Sequence, residues 1–142
     1  MRCVDVNVLV YAHRMDSVEH QPYRGLLDDI ANDDEPLGLP DATLSSFLRI
    51  VTDRRIFREP TPPADAWAAV AALVAAPASR VIRAGDRHWA CFQRLAAAID
   101  ARGRDIADAY LAAYAVENGA TWLSADRGFA RFPGLRWRHP LD

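Results

Sequence analysis

The stretch from Gly103 to Asp126 constrains this chain most, because it joins a helix, a strand and two acidic positions in one connected unit. Asp105 at its start, Asp108 three residues later and Asn118-Gly119 near its end predict a helix with an N-cap and a C-terminal stop. After Gly119 the chain reads Ala-Thr-Trp-Leu-Ser, an apolar run of strand length that gives way to a polar turn at Asp126. One acid therefore stands in the first turn of a helix, and another at the carboxyl end of the strand that follows. In an open α/β sheet that edge is where ligands bind. Taken alone, these acids have two readings. Asp105 and Asp108 can be a capping pair that complements the helix dipole, and Asp126 can be a turn residue. An acidic site needs a third carboxylate.

Asp5 is the candidate. Arg2 to Val10 is rich in β-branched residues, which predicts a buried first strand, and Asp5 interrupts it. A buried carboxylate without a partner is costly, so Asp5 must be paired, protonated or bound to a metal. The expected arrangement is a short strand ending at Asp5 and a helix from Asn7 through Ala12.

Further along, Ser17 is expected to cap a helix whose apolar face carries Tyr23, Leu26, Leu27 and Ile30. A brief strand over 36–39 leads to a helix opened by Pro40-Asp41, with Leu44, Phe47, Leu48 and Val51 inward. Helices over about 64–76 and from Asp86 to Ile99 flank a strand at Arg80–Arg83, and Leu135–Trp137 adds an edge strand. Strands separated by helices imply right-handed parallel crossovers, hence a three-layer α/β/α sandwich around a mainly parallel sheet. With 142 residues and no repeats or linkers, one domain over 1–142 is expected.

The formal charge of −2 excludes a strong general attraction to nucleic acid or acidic membranes. All 17 basic residues are arginine, which suits phosphate contacts, although a GC-rich coding bias is the simpler account of the missing lysine. Cys3 and Cys91 lack a disulfide spacing and read as buried free thiols in a reducing compartment. No signal peptide precedes the first strand, and no apolar run approaches the ~20 residues of a membrane span. A cytoplasmic protein is expected.

In such a sheet, Asp5 and Asp126 share the carboxyl edge, and Asp108 can face the same crevice. Clustered carboxylates raise one another's pKa unless a cation neutralises them. Mg²⁺ typically takes one or two carboxylates together with water and substrate phosphate, and such a site can activate water against a phosphodiester.

Four segments add a resemblance: Asp5-Val6-Asn7-Val8-Leu9-Val10-Tyr11-Ala12, Ser46-Phe47-Leu48-Arg49-Ile50-Val51-Thr52, Asp108-Ala109-Tyr110-Leu111-Ala112-Ala113, and Ser124 to Leu135. Together they resemble PIN-domain ribonucleases, and most nearly the VapC toxins of bacterial toxin–antitoxin pairs. The likeness runs from Asp5 to about Pro140, its last motif being the most specific. It implies a Mg²⁺- or Mn²⁺-dependent endoribonuclease, usually a homodimer, that acts on structured RNA such as tRNA or rRNA. It also implies a small antitoxin that wraps the toxin and blocks its site. On this resemblance Asp5 and Asp108 are the primary metal ligands and Asp126 is the third acid, with Asn7 and Ser124 in support.

Two departures stand out. Many PIN domains carry a glutamate at the position of Ser46, for which Asp41 or a water is a partial substitute, and often a second acid at the position of Gly128. These keep a second reading open, a PIN-fold module that binds RNA or antitoxin without cleavage. A phosphatase with a nucleophilic aspartate would want an acid at Asn7, and a phospho-acceptor domain would want a lysine; the chain has neither. Arg54, Arg55, Arg58, Arg127 and Arg131 are candidates for RNA phosphate contacts, against the plainer reading of a solvated face. His13, His20, His88 and His139 lack ligand spacing and are expected at the surface or at helix ends. Trp67, Trp89, Trp122 and Trp137 are expected in the core, with some packing between protomers. The apolar faces of the second and third helices are candidates for receiving an antitoxin helix, with self-burial as the competing explanation.

Overall fold

Short strands make the sheet, and the first two run directly into helices. The structure is a computed structural model describing residues 1–142. β1 (Arg2–Val4) passes at once into α1 (Val6–His13), with Asp5 as the N-cap whose Oδ1 accepts the Val6 amide. α2 (His20–Ala31) leads to β2 (Leu37–Pro40), which runs directly into α3 (Asp41–Val51). α4 (Pro63–Val74) opens on a proline, harmless there because the first-turn N–H has no intrahelical partner. β3 (Ser79–Ile82), α5 (His88–Ala98) and α6 (Arg104–Glu117) follow. Gly119, at φ +60°, takes the left-handed position that ends α6 and sends the chain into β4 (Thr121–Leu123). A 3₁₀ helix (Arg127–Arg131) and β5 (Arg136–Arg138) complete the fold.

The five strands are ordered β3-β2-β1-β4-β5, and every pairing is parallel. Alternation along the strands separates two cores. Val4, Leu37, Leu39 and Leu123 pack with residues of α1 to α4. Cys3 and Trp122 point the other way, against Leu95 of α5 and the small face of α6, Ala109, Ala112, Ala113 and Ala115. This is the expected three-layer sandwich, with a sheet parallel throughout rather than mainly so. From β1 the chain proceeds outward to β2 and β3, then returns to lay β4 on the opposite flank. The strand order therefore reverses between β1 and β4, where a crevice opens at the carboxyl edge. Asp5 is extended (φ −77°, ψ 160°), so it continues the alternation of Cys3 toward the layer of α6.

Several local expectations are corrected. Ser17 does not cap α2: Glu19 holds that position, and Ser17 instead exchanges hydrogen bonds with it. Asp105 is not the N-cap of α6; Gly103 is, and Asp105 lies one residue inside the helix. The helix expected from Asp86 starts at His88, because the Gly85 and Arg87 amides are held by the Glu117 carboxylate. His88 is buried rather than superficial. Its imidazole donates Nε2–H to the Tyr110 carbonyl and packs edge-on against the Tyr110 and Tyr114 rings. Of the tryptophans, Trp122 is core and Trp137 half-buried, whereas Trp67 and Trp89 are exposed, because α4 and α5 each cover the sheet with one face only. Both cysteines are free, as expected, but only Cys3 is buried, which pushes its thiol up to about 12, whereas Cys91 is half-buried. No helix is long and apolar enough to cross a membrane.

Candidate functional site

Asp5 is 5% exposed, and no arginine or histidine pairs with it. Its Oδ2 accepts the Ser124 hydroxyl at 2.6 Å and the Asn7 amide at 3.0 Å, while its Oδ1 takes the Val6 amide at 2.7 Å. Burial pushes the Asp5 carboxyl above the usual range. The Ser124 and Val6 hydrogen bonds oppose that shift, and the negative charges of Asp108 and Asp126 add to it. Asp108 and Asp126 thus lie near enough for their charges to act on Asp5.

Ser124 follows β4, beside Asp5 across the paired strands, and the Asp5 amide donates to the Leu123 carbonyl. Its hydroxyl donates to Asp5 and accepts from Asn7 Nδ2 (3.1 Å) and the Asp126 amide (3.0 Å). Asn7 in turn accepts the Ala125 amide on Oδ1. Two small polar residues thus knit the end of β1 to the end of β4 and hold Asp5.

Asp108 lies in the second turn of α6 with its side chain 25% exposed. Burial raises its carboxyl pKa first and the charge of Asp126 second, while the Arg131 guanidinium holds it down. Arg131 Nη2 donates to Asp108 Oδ2 at 3.1 Å and to Asp105 Oδ1 at 3.0 Å. Asp126 is exposed and caps the 3₁₀ helix, its Oδ1 accepting the Gly128 amide at 2.8 Å. A Cβ on Gly128 would stand 2.9 Å from that oxygen and 3.0 Å from Arg131 Nη1, so the missing side chain lets both neighbours fold inward.

Other candidates fall elsewhere. Ser46 is half-buried on α3 and lines a shallow groove with Ala42, Phe92, Ala107, Tyr110 and Leu111. Asp41 accepts the Tyr114 hydroxyl at 2.8 Å and the Ala42 amide, so its Oδ1 is already occupied. Arg54 and Arg55 form a separate depression with Thr52, Asp53 and Pro60, in which Arg55 is paired with Asp53. Arg127 is exposed at the start of the 3₁₀ helix, beside the crevice. The link from Arg131 to Asp108 and Asp105 is the feature that sequence spacing missed. Its only local signal is Asp126-x-Gly128, which marks a side-chain-to-amide turn that folds the segment back.

The donor set suits a hard divalent cation: it is made of oxygens, net negative, and anchored by a buried carboxylate that lacks a cationic partner. As they stand, however, no three His, Cys, Asp or Glu side chains are arranged to hold a metal ion together. Asp108 is turned to Arg131 and Asp126 to the Gly128 amide.

Comparison with known proteins bears on the fold and the family. The PIN-domain profile matches residues 2–135. Ribonuclease VapC43 of Mycobacterium tuberculosis is 70% identical over 142 residues, covering 100% of this chain and 97% of that protein. Ribonuclease VapC25 of the same species is 42% identical over 140 residues, covering 99% of each. Among solved structures, VapBC2 from Rickettsia felis bound to a promoter DNA fragment superposes with a TM-score of 0.74 at 15% identity, covering 97% of each chain. Mycobacterium tuberculosis VapC20, described as a sarcin–ricin loop cleaving toxin, gives 0.67 at 16% identity over 96% of this chain and 99% of that one. Full-length identity of this size, on an acid-lined parallel sheet, places the chain in the PIN-domain family, among the VapC ribonucleases.

Proposed function

We propose that this chain is a metal-dependent endoribonuclease acting on structured RNA, such as tRNA or rRNA, and the toxin of a toxin–antitoxin pair. The observation that carries the reading is the buried Asp5 carboxylate, without a cationic partner, beside Asp108 and Asp126 at the topological switch point. Asp5 and Asp108 hold the cation, Mg²⁺ or Mn²⁺, with Asp126 as the third acid. The bound cation would activate water and offset the charge that develops on the phosphodiester. Asn7 and Ser124 keep Asp5 oriented and ionised through their hydrogen bonds. Arg127 stands where an RNA phosphate approaching the crevice would pass, and Arg54 and Arg55 offer a more distant contact.

A small antitoxin is the matching partner, since several fold neighbours are toxin–antitoxin complexes. The apolar groove between α1, α2, α3 and α4, lined by Leu27, Leu44, Phe47, Val70 and Leu73, has the character of a seat for an amphipathic helix. The exposed Trp89 and Ile106 favour a homodimer, and the free thiols and absence of a spanning helix are in keeping with a single-domain cytoplasmic protein.

Incubating structured RNA with purified protein in Mg²⁺, Mn²⁺ or EDTA, with Asp108→Asn in parallel, tests this reading. Discrete fragments that need metal and vanish in the variant are expected. If both proteins are inert in both metals while RNA or antitoxin still binds, the chain is a non-cleaving module. Ser46 in place of an acid is the feature that favours that second reading.

A further inference from the structure

Arg131 is the only basic residue that pairs with any of the three acids, and it pairs with Asp108 while also holding Asp105. From this contact we infer that Arg131 is an internal counter-ion that competes with the divalent cation for Asp108, and that Asp105 keeps it within reach once it is displaced. The inference rests on the metal-dependent reading above and concerns how the site is filled.

The geometry favours exchange over a permanent lock. The pair is one-pronged at Asp108, through a single nitrogen shared by two carboxylates. The Arg131 side chain is 36% exposed and that of Asp108 is 25% exposed, so water screens the pair and its net strength is small. A divalent ion brings twice the charge, so the cation wins the shared carboxylate. Asp105 is 43% exposed, lies nearly one helical turn before Asp108 and retains its own contact with the guanidinium. The Phe132 ring lies 5.0 Å from the guanidinium carbon and offers the displaced side chain a face on which to rest. Gly128 is part of the device, because any side chain there would meet Arg131 Nη1 at 3.0 Å.

Without metal, the contact offsets one of the three negative charges of the acid cluster and occupies Asp108 Oδ2. With metal, it leaves a cation at the rim of the crevice. Arg131 is thus a positioning residue whose effect shows first in metal affinity rather than in bond cleavage.

Calorimetric titration of the full chain with Mn²⁺, comparing wild type, Arg131→Ala and Arg127→Ala, tests the inference. Arg127 lies in the same 3₁₀ helix but pairs with no acid, so it controls for general loss of positive charge. Arg131→Ala is expected to tighten Mn²⁺ binding about two- to fivefold, the size of a screened ion pair, with Arg127→Ala close to wild type. If wild type binds Mn²⁺ and Arg131→Ala binds it no more tightly, or if Arg127→Ala tightens it equally, the competition is disproved and the metal-dependent reading stands. If none of the three proteins binds Mn²⁺, the metal-dependent reading fails and takes this inference with it. A second readout needs no variant at Arg131. The Arg131 Nε resonance of ¹⁵N-labelled wild type should shift on adding Mg²⁺ and stay fixed in Asp108→Asn. An unmoved resonance at saturating metal would likewise overturn the proposal.

Discussion

The Ser124 hydroxyl donates to Asp5 Oδ2 at 2.6 Å, joining residues 119 positions apart at the ends of two adjacent parallel strands. This bond is the strongest influence opposing the effect of burial on Asp5, and it aims the carboxylate into the crevice. A carboxylate that accepts such bonds stays ionised where burial alone would protonate it.

Ser124→Ala should therefore raise the Asp5 pKa further. Activity needs the ionised acid, so the acidic limb of the cleavage pH profile should move to higher pH with little change on the alkaline side. Loss of a charge-assisted bond at a buried carboxylate should also cost about 1.5–3 kcal/mol of stability. Cleavage rates across pH with saturating Mg²⁺ check the first outcome, and an unmoved acidic limb would remove Ser124 from this role.

Asp108 carries the opposite sign in stability. Its folded pKa lies above the unfolded value of 3.8, chiefly through burial. The native state thus binds its proton more tightly, so its contribution to stability falls as pH rises from the unfolded to the folded pKa, and at neutral pH the ionised group is a net cost. Asp108→Asn should raise the melting temperature of the metal-free protein in EDTA. Mg²⁺ at a hundred times its Kd should stabilise wild type by about 2.7 kcal/mol and leave the variant nearly unchanged. Thermal denaturation with and without Mg²⁺ reads both effects.

Gly128→Ala introduces a Cβ 2.9 Å from Asp126 Oδ1 and 3.0 Å from Arg131 Nη1. Both atoms are the ends of mobile side chains, so the protein should fold, losing about 1 kcal/mol as the Asp126 cap loosens. Its Mn²⁺ affinity should move in the same direction as that of Arg131→Ala. Calorimetry decides, and weaker metal binding would show that displacement of Asp126, not of Arg131, dominates the response.

The tryptophans separate packing from surface. Trp122, on β4, is fully buried against α6, so Trp122→Ala should cost about 3–5 kcal/mol, whereas Trp89, 69% exposed, should change stability by less than about 0.5 kcal/mol when replaced by Ala. Urea denaturation of the two variants gives the comparison. A large loss in Trp89→Ala would show that this face is covered in solution, as a homodimer requires.

Much of this was legible along the chain. The apolar runs at Arg2–Val4, Leu37–Pro40 and Thr121–Leu123, each followed by a polar residue or a helix start, announce a parallel sheet flanked by helices. Asp5, Asp108 and Asp126 could be assigned to one edge because strand ends and helix starts obey local rules of capping and alternation, whereas Asn7 and Ser124 entered only through the resemblance to PIN-domain ribonucleases. Chain spacing could not show what each acid faces. Whether Asp105 caps its helix or holds Arg131 depends on a 3₁₀ turn more than twenty residues away, folded inward because Gly128 lacks a side chain. Likewise, His88 is buried and Trp89, its neighbour, exposed because α5 covers the sheet with only one face. Periodicity and capping are properties of neighbouring residues, so the sequence alone determined the layers, the sheet and the acidic edge. Charge pairing and burial depend on which surfaces meet, so tertiary structure alone decided that Asp5 is held by Ser124 and Asp108 by Arg131.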